Sequence, residues 1–132
     1  MAESDLPDTV APVEGAIRNP ANPNHFMVVQ PAGRRIRIFF ADRLVADSMD
    51  AVRVIEIGRH AYEPRLYLPK KALTVPLVQL DKVTHCPLKG DANYFSLEGQ
   101  EIAWAYRSLD FAAVLDGLYS FWGDNMRIVE GE

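Results

Sequence analysis

From Arg35 to Phe40 the chain shows its clearest alternation: Ile36, Ile38 and Phe40 fall on one side, Arg35 and Arg37 on the other. A period of two marks a strand with one buried and one wet face; a helical stripe would repeat every third or fourth residue. Other short runs follow the same logic. Residues 26–29, 44–46, 52–57, 66–68, 83–86, 94–97, 102–106 and 126–129 are rich in apolar, β-branched or aromatic residues, and most are stopped by Gly or Pro. Asp42-Arg43 would turn the first strand back into 44–46, and Glu98-Gly99-Gln100 makes a tight hairpin between two later ones. Residues 70–73 read as one helical turn. In 108–122, Phe111, Val114, Leu115, Leu118 and Trp122 fit a helical stripe that Asp110 can cap, but Gly117 interrupts it, so a helical turn leading into a strand is expected. The fold class is therefore mainly β: two packed antiparallel layers with one or two short helical turns. Residues 1–24, with Pro7, Pro12, Pro20 and Pro23 and no period, read as an extended or loose arm, and 25–132 as a single β domain.

A chain of 132 residues with 48% apolar and 24% charged residues has the balance of one soluble globular domain, not of a disordered or disulfide-stapled one. No apolar run approaches the ~20 residues of a membrane helix, so no membrane partner is expected. Glu3, Asp5 and Asp8 stand where a signal peptide would be basic and then apolar, so a cytoplasmic setting is expected. The single Cys86 permits no internal disulfide and no cysteine-based zinc cage. The net charge of −4 argues against a dedicated nucleic-acid binder, although residues 34–82 are locally basic.

The most unusual local feature runs from His85 through Cys86, Pro87, Leu88 and Lys89 to Gly90. Proline removes a ladder donor, and Lys-Gly permits a sharp turn. A thiol three residues before a lysine has its thiolate favoured by that charge; facing inward it would be inert. His85 cannot activate Cys86, because adjacent strand residues point to opposite faces. Lys89 is either a plain turn lysine or the cap of a pocket that meets an anion. Glu56 shares a face with Val52 and Val54, opposite Arg53, Ile55 and Ile57. If that face is interior, Glu56 is a buried acid needing a partner, whether a salt bridge or a role as general base. Ile102, Trp104 and Tyr106 share a face, while the small Ala103 and Ala105 opposite imply a closely packed layer or a cavity. Tyr62, Tyr67, Tyr94, Trp104, Tyr106 and Trp122 are core residues or, gathered around Glu56 and Lys89, the walls of a ligand pocket. His25, His60 and His85 are too dispersed for a metal triad, no HExxH occurs, and neither metal nor cofactor is expected.

FADRLVADS over residues 40–48, Glu56 ahead of a Tyr-x-Pro segment ending at Pro69, THCPLKGDANYF over 84–95 and AWAY over 103–106 resemble one bacterial family. It is catalogued as domain of unknown function 427, carries a CPxKGxAxY signature and is also labelled nucleotidyltransferase. The resemblance covers about residues 34–130 and implies a β-tent-like sandwich, two antiparallel sheets leaning together. Its motif marks Cys86, Lys89, Gly90, Tyr94, Trp104 and Tyr106, together with Glu56, Tyr67 and Pro69. Other β-tent proteins hold zinc through paired cysteines, a site this chain lacks. Nucleotidyl transfer normally needs carboxylates that hold Mg²⁺, and no close Asp pair lies near a Gly-rich loop. Three functions follow as expectations. The first is a small-molecule site lined by Tyr67, Lys89, Tyr94, Trp104 and Tyr106 and flanked by Glu56. The second is an enzyme using Cys86, Glu56 or Lys89 at that pocket. The third is a protein-interaction module, with exposed strand edges allowing a homodimer.

Overall fold

The computed structural model describes residues 13–131. In chain order they form β1 (Ile17–Asn19), β2 (Asn22–Pro31), β3 (Ile36–Phe40), β4 (Arg43–Ser48), β5 (Val52–Ile57) and β6 (Arg65–Tyr67). After a 3₁₀ turn at Lys70–Ala72 come β7 (Val78–Cys86), β8 (Gly90–Leu97) and β9 (Gln100–Arg107). A 3₁₀ segment at Asp110–Leu115 then leads to β10 (Tyr119–Phe121) and β11 (Met126–Glu130). The mainly β class holds, and the helical turn leading into a strand lies where the sequence puts it.

The strands sort into three antiparallel sheets rather than two: β1-β2-β5-β6, β10-β9-β8-β7 and β11-β3-β4. The first two meet edge to edge, where Leu68 and Tyr119 exchange both backbone hydrogen bonds at 2.8 Å. The buried Ser120 hydroxyl donates to the Leu66 carbonyl at the same joint. On one side of this joined surface the third sheet packs. Ile36, Ile38, Val45 and Ala46 meet Ala103, Ala105, Leu66, Leu68, Tyr119 and Phe121 in one hydrophobic cluster. Ala103 and Ala105 face this cluster together with the side chains of β3 and β4. The other side holds a second cluster of Met27, Val54, Tyr67, Leu88, Ala112 and Leu115, with Trp104 and Tyr106 packed against it. The candidate site borders this second cluster.

Four details depart from the sequence reading. Ile102 lies in the first cluster with Ala103 and Ala105, not on the Trp104 face. The register slips between Phe95 and Ser96, which pair with Ala103 and Glu101, so Ile102 is the extra residue of a β-bulge and alternation breaks there. The boundary expected after residue 24 falls inside β2. Residues 17–19 form β1 and pair back onto β2, with Asn19 Oδ1 accepting the Ala21 N–H and Arg18 donating to the Pro23 carbonyl. The rest of the expected arm, residues 1–12, lies outside the described residues. The β3–β4 turn is Ala41-Asp42, since Phe40 pairs with Arg43. Asp110 caps nothing; Asp116 Oδ1 instead accepts the Ser108 N–H at 2.9 Å, tying the two ends of that segment together. The Glu98-Gly99 hairpin is as expected, both residues taking positive φ (52° and 82°).

Candidate functional site

Strand alternation and register build the site. In the first sheet, Met27 pairs with Glu56, Val29 with Val54, Val54 with Arg65 and Val52 with Tyr67. Cross-strand partners share a face, so His25, Met27 and Val29 of β2, Val52, Val54 and Glu56 of β5, and Arg65 and Tyr67 of β6 look the same way. In the second sheet, Cys86 pairs with Gly90, Ala92 with Tyr106 and Tyr94 with Trp104, which puts Cys86, Tyr94, Trp104 and Tyr106 on one face. His85 and Asp91 pair on the opposite face, His85 Nδ1 lying 2.7 Å from Asp91 Oδ1. His85 is thus turned away from the thiol, as expected.

The bend between β7 and β8 closes one face over the other. Leu88, fully buried, inserts into the second cluster and anchors the loop of Pro87, Leu88 and Lys89. Gly90 takes φ of 108°, and a Cβ there would be driven into the Arg107 carbonyl oxygen. Only glycine fits. Anchored in this way, Lys89 points inward and its Nζ donates to Glu56 Oε1 at 2.6 Å. The other carboxylate oxygen, Oε2, lies 2.8 Å from His25 Nε2. His25 stands one residue beyond the Phe26–Ile57 pair, so it reaches Glu56 diagonally. The three side chains are 14% (Lys89), 13% (Glu56) and 16% (His25) exposed.

Burial alone would raise the Glu56 pKa, but the Lys89 ammonium and His25 outweigh it and hold the carboxyl below its ordinary 4.5. Burial alone would also lower Lys89; the Tyr67 and Tyr106 hydroxyls and the Glu56 carboxylate overcome it and raise its pKa. Tyr67 and Tyr106 are both raised by burial, against the opposing pull of Lys89. At neutral pH the centre is therefore an ammonium paired with a carboxylate among un-ionised phenols.

His25, Glu56, Tyr67 and Lys89 border a cavity of about 360 Å³ that also meets Cys86, Trp104, Arg65 and Tyr62. The Trp104 indole N–H donates to the Tyr67 hydroxyl at 3.2 Å, and the two rings meet edge to face, centroids 6.5 Å apart. Arg65 lies over the Trp104 ring at 5.9 Å. Of the residues singled out in the sequence, Glu56, Tyr62, Tyr67, Cys86, Lys89 and Trp104 line this cavity together, and His85 also borders it. Tyr106 lies behind the wall, its ring 5.2 Å beneath Lys89 Nζ and 6.4 Å from Tyr67. Tyr94 is turned to the β7 edge, its hydroxyl 2.7 Å from Thr84 Oγ1 and its ring under Lys82. Trp122 is exposed elsewhere.

Sequence reasoning missed His25 and Arg65 at this site. For His25 a signal existed: it precedes the buried Met27 by two residues, so the period that buries Met27 turns His25 the same way. No curated protein matches the chain. The profile of one family, described as a domain of unknown function (DUF427), matches residues 28–132, which include every cavity residue named above except His25. That span is most of the sequence, and the chain belongs to this family.

Proposed function

We propose that the chain binds a small polar molecule in the cavity between the first two sheets. The observation that carries this reading is the composition of the wall: aromatic faces of Tyr62, Tyr67 and Trp104 stand beside an ion-paired floor of Glu56, Lys89 and His25. Apolar walls with a few convergent polar groups are what a ligand site requires, and about 360 Å³ lies within the range such sites occupy. The reading as an enzyme at the same cavity is the weaker one. Glu56 and Lys89 neutralise each other at 2.6 Å, so neither is a free base or acid.

Trp104 supplies the test. A Trp122→Phe variant removes the other indole, 63% exposed and away from the cavity, and leaves Trp104 as sole reporter. Compounds from a metabolite library that raise the melting temperature are expected to change Trp104 fluorescence saturably. Trp104→Ala and Lys89→Met should each abolish the thermal shift. A compound that stabilises both variants as much as the parent chain binds elsewhere and overturns the reading.

A further inference from the structure

We propose that His25, Glu56 and Cys86 form a binding site for a single transition-metal ion of the zinc class. The three residues come from β2, β5 and the end of β7, and one donor atom from each lies within 4.8 Å of the other two. Zinc bonds of about 2.0–2.3 Å in a tetrahedron place donors roughly 3.3–3.6 Å apart. Side-chain movements of about an ångström therefore seat the ion. The 2.8 Å contact between His25 Nε2 and Glu56 Oε2 aims these two donors at each other without metal.

The surroundings orient the donors. Lys89 Nζ holds Glu56 Oε1, which leaves Oε2 directed at His25. An outer hydrogen bond of this kind fixes a metal-ligating carboxylate. Cys86 is held opposite Gly90, on the face that looks into the cavity, by the bend that Leu88 anchors. Nitrogen, oxygen and sulfur donors together select zinc or cobalt(II) over magnesium or calcium, which take oxygen alone. Three protein donors leave the fourth position open to the cavity, the pattern of reactive rather than structural zinc centres.

Charge then names the class of the fourth ligand. A thiolate and a carboxylate balance the two charges of the ion, and the Lys89 ammonium remains. The open position accordingly favours an anion, either hydroxide or the carboxylate of a small molecule. This centre is distinct from the paired-cysteine site implied by the β-tent resemblance, which needs a second thiol.

The test uses the full chain, stripped of metal, and cobalt or zinc alone as the probe. One equivalent of cobalt(II) is expected to produce visible d–d bands of four-coordinate intensity and a near-ultraviolet thiolate-to-cobalt charge-transfer band. One equivalent of zinc should bleach both. Cys86→Ser should lose the charge-transfer band and bind zinc more weakly by over ~100-fold, beyond the cost of removing an outer-shell partner. His25→Ala should weaken zinc comparably. His60→Ala removes an imidazole outside the cluster and should bind as the parent does, with circular dichroism reporting folding throughout. A cobalt spectrum without a sulfur band in the parent chain, or unchanged zinc affinity in Cys86→Ser, overturns the proposal. Neither result touches the small-molecule reading, which the Trp104 and Lys89 variants decide.

Discussion

Glu56 is the residue on which the site turns, because its position on β5 gives it no choice of surroundings. Sharing a face with the buried Val54, its carboxylate is withdrawn from water and needs a charged partner. Removing that partner leaves a charge that His25 alone cannot balance. Lys89→Met is therefore expected to destabilise the fold by about 2–4 kcal/mol in urea denaturation, below the largest buried-pair values because the cavity admits water. Glu56→Gln combined with Lys89→Met should recover at least half of that loss. Single and double variants of equal stability would show that the pair is not coupled. Alternation in the sequence set Glu56 with Val52 and Val54, but periodicity is blind to which face is interior. Nor could it see Lys89, a partner 33 residues away, since that contact exists only after the β7–β8 bend folds over the first sheet. Cys86 was legible as unusual for its neighbours. Its place beside His25 and Glu56 was not, because three strands must assemble to bring them together.

At the scale of elements, the β7–β8 hairpin determines whether the site exists. Its tip must deliver Leu88 to the core and Lys89 to Glu56 in consecutive positions. Gly90, with φ of 108° against the Arg107 backbone, makes the required change of direction. Leu88→Ala removes a fully buried side chain from the second cluster and is expected to cost about 2–5 kcal/mol. Gly90→Ala should disorder the bend itself. In the folded fraction of Gly90→Ala, the amides of residues 86–90 should exchange hydrogen much faster than in the parent while those of β3 and β4 keep their protection. Uniform loss of protection would mean that the bend is not a separable unit. The sequence showed that a turn lies here, through Pro87 and the Lys-Gly pair. It could not show that Leu88 points inward, since a loop residue obeys no period. The bulge at Ile102 escaped for a related reason: one extra residue reverses the faces, and nothing in the local composition of β9 announces it. Asp110 failed as a cap because the segment is 3₁₀, with Leu109 at its start and Asp116 reaching back from its end.

For the molecule as a whole, local pattern reveals strands but not their partners, which is why two sheets were expected and three are found. β11 pairs with β3 across most of the chain, Ile128 lying opposite Ile38, and this late return builds the third sheet. That sheet seals one side of the joined pair and leaves the other to enclose Lys89, Tyr67 and Tyr106, three groups held in their protonated forms. Their consequence is a stability that falls at high pH. In the unfolded chain the two phenols lose protons near 10.0 and the ammonium near 10.5. In the folded chain all three pKa values are raised. Above pH 10 the native state therefore binds more protons than the unfolded one, and the free energy of unfolding declines as pH rises. The contribution is fully present below the unfolded values and disappears as pH passes through the folded ones, with a slope of up to about 1.4 kcal/mol per pH unit for each group. Urea denaturation at pH 9, 10 and 11 should show this decline in the parent chain. Tyr106→Phe keeps the ring beneath Lys89 but has no proton to lose, so its stability should fall less steeply over the same range. Equal slopes for the two proteins would remove Tyr106 from the group that makes the fold sensitive to alkali.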